Sequence, residues 1–142
     1  MTENQRNIDQ RFVHHSGEDA PIRLSEAFSC AFSGILYAFR TQRNFKIHAA
    51  FAVAAIALGL LLQIPAWSGL AVIGCAVGVF ALEVMNTAVE AVVDMVSPEW
   101  NELAMRAKDC AAGAVYVAAI GSMVVAAIVY IPPFVALVTT WT

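Results

Sequence analysis

Three long runs without a formally charged side chain constrain the fold more than any other feature of this 142-residue sequence. They extend over residues 47–64, 67–82 and 110–130. A helix needs about 20 mainly apolar residues to cross the roughly 30 Å hydrocarbon core of a bilayer. Inside lipid, a helix satisfies its own backbone hydrogen bonds, which an open strand cannot do. We therefore predict an all-α integral membrane protein with three transmembrane helices.

Composition and charge agree with a chain that faces lipid. Hydrophobic residues make up 60% of the sequence and charged residues 13%, against about 45–50% and about 25% in soluble domains. The net charge is -3 and there is no basic run, so we expect no nucleic-acid partner. The three cysteines, Cys30, Cys75 and Cys110, lack metal-binding spacing and are expected to be reduced, small apolar residues.

The segment before the first apolar run changes in character along its length. Residues 1–22 carry mixed charge and little apolar content, so they are predicted to form a disordered tail ahead of a single domain, 23–142. From Leu24 to Arg40 the apolar residues recur with helical spacing, and both ends carry an arginine. This pattern predicts an amphipathic helix on the membrane surface.

Prolines mark the predicted ends of the membrane helices. Pro65 indicates a short turn after the first run, and no helix breaker follows in the second helix until Pro98. The Ser97-Pro98 pair has the cap-then-proline order of a helix start, so we expect the next helix to begin there. The third run is predicted to end near Tyr130, just before two further prolines.

The distribution of cations predicts how the chain is oriented. Arginine and lysine precede the first run, and Arg106 and Lys108 lie between the second and third, whereas the turn at Pro65 has neither. Because cytoplasmic loops are enriched in lysine and arginine, we expect the N-terminus and the 94–109 loop on the cytoplasmic side of the inner membrane. Almost all ionisable groups then face the compartment that holds ATP.

Four polar residues of the second helix share one narrow face, called here the polar stripe: Glu83, Asn86, Glu90 and Asp94. At about 100° per residue they fall at about 0°, -60°, -20° and +20° around the helix axis. An acid in a membrane helix costs several kcal/mol unless it faces the bundle interior, water or a cation. Hydrated acids at an emerging helix end are the alternative, and it applies best to Asp94. The stripe predicts a site that binds something.

A second charged cluster lies at the start of the third span and contains Glu99, Glu102, Arg106, Lys108 and Asp109. A lysine beside an aspartate can bind phosphate, although a solvated loop would have the same composition. The sequence has no Walker A loop, no kinase Gly-rich loop and no CxxC or HExxH motif. Any nucleotide site must therefore be built between helices.

These segments together resemble the prokaryotic diacylglycerol kinase family, which includes the undecaprenol kinases of Gram-positive bacteria. The resemblance covers roughly residues 23–130 and depends on an E-x-x-N-T-A-x-E stripe followed by A-K-D in a three-span chain. The segments that carry it are 32–35 (FSGI), 43–48 (RNFKIH), 83–94 (EVMNTAVEAVVD), 106–109 (RAKD) and 112–115 (AGAV).

The resemblance implies a homotrimer that uses ATP and Mg²⁺ to phosphorylate a membrane lipid alcohol, diacylglycerol or undecaprenol. It implies Glu83 as general base, and Glu90 and Gln42 as magnesium ligands. Gln42 stands where most members have a glutamate, and Cys30 stands where some have a tyrosine near the nucleotide. The sequence RNFKIH at residues 43–48 is closer to the undecaprenol kinase branch. The positions implied to contact ATP are Arg23, Asn86, Glu99, Lys108 and Asp109.

Two other functions are compatible with acids inside a membrane helix. An ion or small-solute transporter would use them as a pathway, although transporters more often show inverted repeats or broken helices. A non-catalytic membrane assembly protein would pair them with the cations of a partner. Production of a lipid phosphate from ATP separates the kinase from both.

Overall fold

The structure of the protein is a computed structural model that describes residues 23–139. This part of the chain consists of four α-helices joined by short links and contains no strand. The all-α prediction is therefore confirmed, while the predicted tail, 1–22, lies outside the described residues. The helices are α1 (Leu24–Thr41), α2 (Arg43–Leu61), α3 (Ala66–Val96) and α4 (Glu102–Thr139).

Helix α1 is amphipathic, as its spacing predicted. It exposes Leu24, Phe28 and Phe32, which recur every four residues and so lie on one face. The chain divides into two compact units between Phe32 and Ser33. The helices that form the site described below all belong to the second unit.

Helices α2, α3 and α4 are each long and apolar enough to cross a membrane. The chain is therefore a multi-pass membrane protein, as the three uncharged runs predicted. Within the second unit α3 packs against both α2 and α4. Most large apolar side chains on these helices stay exposed, which is the expected arrangement where the surrounding solvent is acyl chains.

The link between α2 and α3 is a tight turn of four residues, 62–65. Gln63 has a φ angle of 52°, in the left-handed backbone region that residues other than glycine rarely adopt. The Ile64 N–H donates to the Gly59 carbonyl over 3.1 Å. A Cβ atom on Gly59 would lie 2.9 Å from Ile64 Cδ1, so the turn folds back closely onto the end of α2.

The predicted helix start at Ser97-Pro98 is wrong. The N–H of Ser97 closes α3 by donating to the Val93 carbonyl over 2.9 Å, so this serine ends a helix. The next helix begins at Glu102, where the Asn101 side-chain oxygen accepts the N–H groups of the second and third helical residues, at 2.9 and 3.2 Å. Asparagine is as good a cap as serine, and here it is the one used.

Helix α4 also extends beyond its predicted end near Tyr130. It continues through Pro132 and Pro133 to Thr139. The hydroxyl of Tyr130 donates to the Ala55 carbonyl of α2 over 2.7 Å. This hydrogen bond connects α4 to the second half of α2, two residues before Pro132.

The Gly74-x-x-x-Gly78 pattern of α3 is not used for packing within the chain. A Cβ atom on either glycine would meet nothing within 4 Å among the described residues. Such small-residue faces allow close approach of another membrane helix.

Candidate active site

The polar stripe of α3 faces the start of α2, and two residues of α2 reach it. Gln42, the N-cap residue of α2, contacts Glu90. One and a half turns further along α2, His48 contacts Glu83. The N-terminal end of α2 and the C-terminal half of α3 therefore meet through two pairs of polar side chains.

Glu83 is the most buried member of the stripe, with 2% of the residue exposed. Its Oε1 atom lies 3.3 Å from His48 Nε2, yet it has no hydrogen-bond partner among the described residues. Buried carboxylate oxygens are normally paired. Oε1 of Glu83 therefore offers an acceptor position that no described residue fills with a hydrogen bond.

Glu90 lies two turns further along the stripe and accepts two amide hydrogen bonds. Gln42 Nε2 donates to Glu90 Oε2 over 2.7 Å, and Asn86 Nδ2 donates to Oε1 over 3.0 Å. The buried Oδ1 of Asn86 has no hydrogen-bond partner in the described part of the chain. The Glu90 carboxylate thus accepts hydrogen bonds from the side-chain amides of Gln42 and Asn86, and each of these amides also carries a carbonyl oxygen.

The end of α3 is joined to α4 by an ion pair between Asp94 and Lys108. The stripe and the second charged cluster, which are separated in the sequence by the 97–101 link, therefore come together. Glu99 and Asp109, also predicted to contact ATP, are exposed. Arg106 pairs instead with Glu102 over 2.6 Å on the exposed surface of α4.

Arg23, the remaining predicted ATP contact, belongs to the first compact unit. It lies just before α1, and its backbone N–H donates to the Glu26 carboxylate over 3.2 Å. This is a capping contact at the start of α1, and it leaves the guanidinium group available for other partners.

The stripe fits Mg²⁺ better than it fits a metal held entirely by the protein. Residues 23–139 contain no cluster of three His, Cys, Asp or Glu side chains that could hold a metal ion. Mg²⁺ is usually bound by one or two carboxylates, with waters and substrate phosphates completing its six ligands. Glu90, with the amide oxygens of Gln42 and Asn86 close by, matches that donor set. A metal shared with a nucleotide is the kind these residues suit.

An apolar cavity of about 270 Å³ adjoins the stripe between α2, α3 and α4. Its lining is almost wholly apolar, and the one histidine among the described lining residues is His48. Phe51, Val79 and Phe80 are among the apolar lining residues. His48 is therefore the residue at which this cavity meets Glu83.

Comparison with known proteins identifies the family. Residues 29–130 match the family model described as prokaryotic diacylglycerol kinase. The chain belongs to this family. The match includes α2, α3 and most of α4, and with them the whole contact between α2 and the stripe.

Relatives in the diacylglycerol kinase family carry two different substrate names. A diacylglycerol kinase of Synechocystis is 45% identical over 80% of this chain and 66% of its own length. An undecaprenol kinase of Bacillus subtilis is 37% identical over 78% of this chain and 89% of its own length. The Escherichia coli K12 diacylglycerol kinase is 28% identical over 72% of this chain and 84% of its own length. Membership places the chain among the lipid kinases.

The chain spans just under two thirds of the Synechocystis diacylglycerol kinase and most of the other two relatives. The part that matches nevertheless holds every described residue of the polar stripe and its α2 partners. The family assignment thus rests on the same segments that form the candidate site.

Sequence reasoning missed two contacts of this family member. The pairing of His48 with Glu83 was not predicted, although His48 is the only titratable residue of the first apolar run. The pairing of Lys108 with Asp94 was also missed. In each case the residue was noticed but its partner lies on another helix, which helical periodicity cannot identify.

Proposed function

We propose that this chain transfers the γ-phosphoryl group of ATP to the hydroxyl of a membrane lipid alcohol, diacylglycerol or undecaprenol, in a reaction that requires Mg²⁺. One observation carries the proposal: a carboxylate oxygen of Glu83 is buried and accepts no hydrogen bond among residues 23–139, on the same helix face as Glu90. A kinase needs an acceptor for the hydroxyl proton and a separate acid for the metal. The stripe offers both.

The position of each acid along α3 suits the two substrates. Counted from Ala66 at 1.5 Å per residue, Glu83 lies about 26 Å along the helix and Glu90 about 36 Å. A hydrocarbon layer of about 30 Å that begins at Ala66 would end just beyond Glu83. Glu83 is then at the depth of a lipid hydroxyl, and Glu90 is in the aqueous layer that ATP reaches.

Glu83 is assigned the role of general base. A carboxylate within hydrogen-bonding reach of the lipid hydroxyl would take its proton as the oxygen attacks the γ-phosphorus. The unpaired Oε1 is free for that hydrogen bond. The proton passes to the carboxylate, and the γ-phosphoryl group leaves ADP for the lipid oxygen.

Glu90 and Gln42 are assigned to hold Mg²⁺, which when bound neutralises charge on the ATP phosphates. Both amides beside Glu90 now present their N–H groups to it. Rotation of an amide by half a turn exchanges its nitrogen for its oxygen, which makes it a metal ligand. The buried Oδ1 of Asn86 has no hydrogen-bond partner among the described residues. This supports a site in which a bound substrate or metal would contact an amide oxygen.

The remaining polar residues are assigned to the nucleotide. Phosphoryl transfer depends mainly on positioning and on neutralising phosphate charge. Lys108 is held beside the end of α3 by Asp94, and its ammonium group would neutralise phosphate oxygens together with Arg23. The polar residues assigned to contact other parts of the nucleotide are Asn86, Glu99 and Asp109.

We further propose that the enzyme is a homotrimer in the inner membrane with its active site on the cytoplasmic side. The cations before α2 and between α3 and α4 support this orientation. The open faces of Gly74 and Gly78 support contact between copies. ATP is then available at the end of α3 where the acids lie.

A lipid panel tests the proposal and selects the substrate. Purified protein in bilayer nanodiscs receives γ-labelled ATP with either diacylglycerol or undecaprenol at equal surface density. We expect an organic-soluble labelled phosphate from one of them, and we expect EDTA to abolish it. If neither lipid is labelled at any magnesium concentration, the proposed function is wrong. A transporter or an assembly protein would give that result.

A further inference from the structure

The proposed reaction leaves one polar residue of the α2–α3 contact without a role. His48 lies on α2, half-buried, with 26% of its side chain exposed. It is not among the residues assigned to ATP, to Mg²⁺ or to proton transfer. It is nevertheless the side chain nearest to the oxygen on which the proposed chemistry depends.

His48 is the only cationic or potentially cationic partner of Glu83 among residues 23–139. The other basic groups with recorded contacts are engaged elsewhere. Lys108 pairs with Asp94, and Arg106 pairs with Glu102. His48 is therefore the described side chain placed to hold the Glu83 carboxyl group.

The geometry of this contact holds the carboxyl group without using up its acceptor. Nε2 lies 3.3 Å from Oε1, within ion-pair range, but the two atoms do not form a hydrogen bond. The hydrogen-bonding direction of Oε1 therefore stays open to a hydroxyl. A well-aligned donor in the same place would compete with the substrate for that lone pair.

Two further contacts limit how far the pair can move. The side chain of Thr87, one turn along α3, donates to the Glu83 carbonyl over 2.8 Å, which fixes the backbone at that point. On the other side, His48 borders the apolar cavity together with Phe51. The imidazole therefore contacts Glu83 and also lines the cavity.

We infer that His48 is a positioning residue, which acts through Nε2 to orient the Glu83 carboxyl group towards the lipid hydroxyl. This inference rests on the proposed kinase function. Misplacement of a reacting group by about 1 Å can cost about 100-fold in rate. The effect should appear in turnover, because His48 contacts the proposed base and none of the residues assigned to ATP or Mg²⁺.

The test compares two amide replacements that differ by one methylene group. The amide nitrogen of His48→Gln can occupy the place of Nε2, whereas that of His48→Asn falls short of it. We expect His48→Asn and His48→Ala to lower kcat about 10- to 100-fold, with the KM for ATP unchanged, and His48→Gln to recover most of the lost turnover. Ser122→Ala is the matched control, since its hydroxyl borders the same cavity but donates to the Ala118 carbonyl of its own helix.

Each result has a defined consequence. Equal kcat for the Gln and Asn variants overturns the role of Nε2, and so does a rise in the KM for ATP that accounts for the whole loss. If His48→Ala does not fold, as judged by its detergent melting curve, the Gln and Asn pair still decides. An unsubstituted protein that phosphorylates no lipid overturns the proposed function itself, and this inference with it.

Discussion

The C-terminal half of α3 and the whole of α4 bury opposite kinds of side chain. From Glu83 onward, the residues that α3 buries are Glu83, Asn86 and Thr87, all polar. Helix α4 buries only Val115 in its described length, and leaves Val117 and Ile128 about 70% exposed. In soluble proteins the apolar residues would be inside.

The contrast shows what burial is for in this chain. An apolar side chain on α4 loses little by facing acyl chains, because lipid is as apolar as a protein core. A polar side chain in the same environment needs a partner. The buried polar residues of α3 are Ser68 near its start and Glu83, Asn86 and Thr87 in its C-terminal half, and the last three lie at the candidate active site.

The Glu83→Gln substitution should have the largest effect, because it removes the proposed base while keeping the size of the side chain. We expect kcat to fall about 10²- to 10⁴-fold, measured as labelled phosphate in the organic phase. Glu102→Gln is the control, since that carboxylate is exposed and pairs with Arg106. Near-normal turnover of the Glu83 variant would mean that α3 buries its polar groups for structure alone.

The Lys108→Met substitution tests whether the polar contact extends from α3 to α4. Loss of a charged hydrogen-bond donor to phosphate should raise the KM for ATP about 10- to 100-fold, given about 1.5–3 kcal/mol for such a bond. Arg106→Met removes an equal charge two residues away, where the partner is Glu102. Equal KM values for the two variants would show only a general effect of loop charge.

The Gln42→Glu substitution should sharpen the assignment of the metal site. Glu90 now lies 2.7 Å from the amide nitrogen of Gln42. A carboxylate in place of that amide should repel Glu90 when Mg²⁺ is absent and share the ion with Glu90 when it is present. We expect half-maximal activity at a magnesium concentration about three- to tenfold lower. Thr41→Glu adds the same charge one residue earlier. An unchanged magnesium titration removes Gln42 from the site.

The Tyr130→Phe substitution concerns the apolar side of the comparison and should have the smallest effect. It deletes the hydrogen bond from the Tyr130 hydroxyl to the Ala55 carbonyl, which should cost about 0.5–1 kcal/mol of unfolding free energy. Turnover should not change, because Ala55 lies about two turns along α2 from His48, the α2 residue that contacts Glu83. Tyr116→Phe, at an exposed position, is the control. A large loss of turnover would show that α4 does more than fill space.

Local sequence signals predicted the helices well where a single helix determines its own ends. The first uncharged run located α2 to within a few residues, and the second run together with the absence of a breaker before Pro98 did the same for α3. The start of α4 was wrong because Ser97 and Asn101 are equally good caps, and only the hydrogen bond that closes α3 assigns Ser97 to that helix. The prolines of α4 misled for a different reason, since transmembrane helices tolerate proline where neighbouring groups satisfy the freed backbone atoms.

The candidate site was predictable to the same extent. Helical periodicity placed the four polar residues of α3 on one face, and the structure turns that face towards α2. Periodicity within α3 says nothing about which α2 residues come opposite. Resemblance to the family supplied Gln42 beside Glu90, whereas the contact of His48 with Glu83 follows only from the packing of two helices. Roles in catalysis stay predictions.

Helix α3 runs without interruption from Ala66 to Val96, so the distance along the helix axis between its start and Glu83 is fixed by the helix itself. The height of Glu83 above the opposite membrane face is set by a count of residues together with the tilt of the helix. Longer acyl chains would submerge the carboxyl group, and shorter ones would raise it into water. Membrane thickness thereby becomes a variable of the reaction, and the rate should pass through an optimum as the lipids are lengthened.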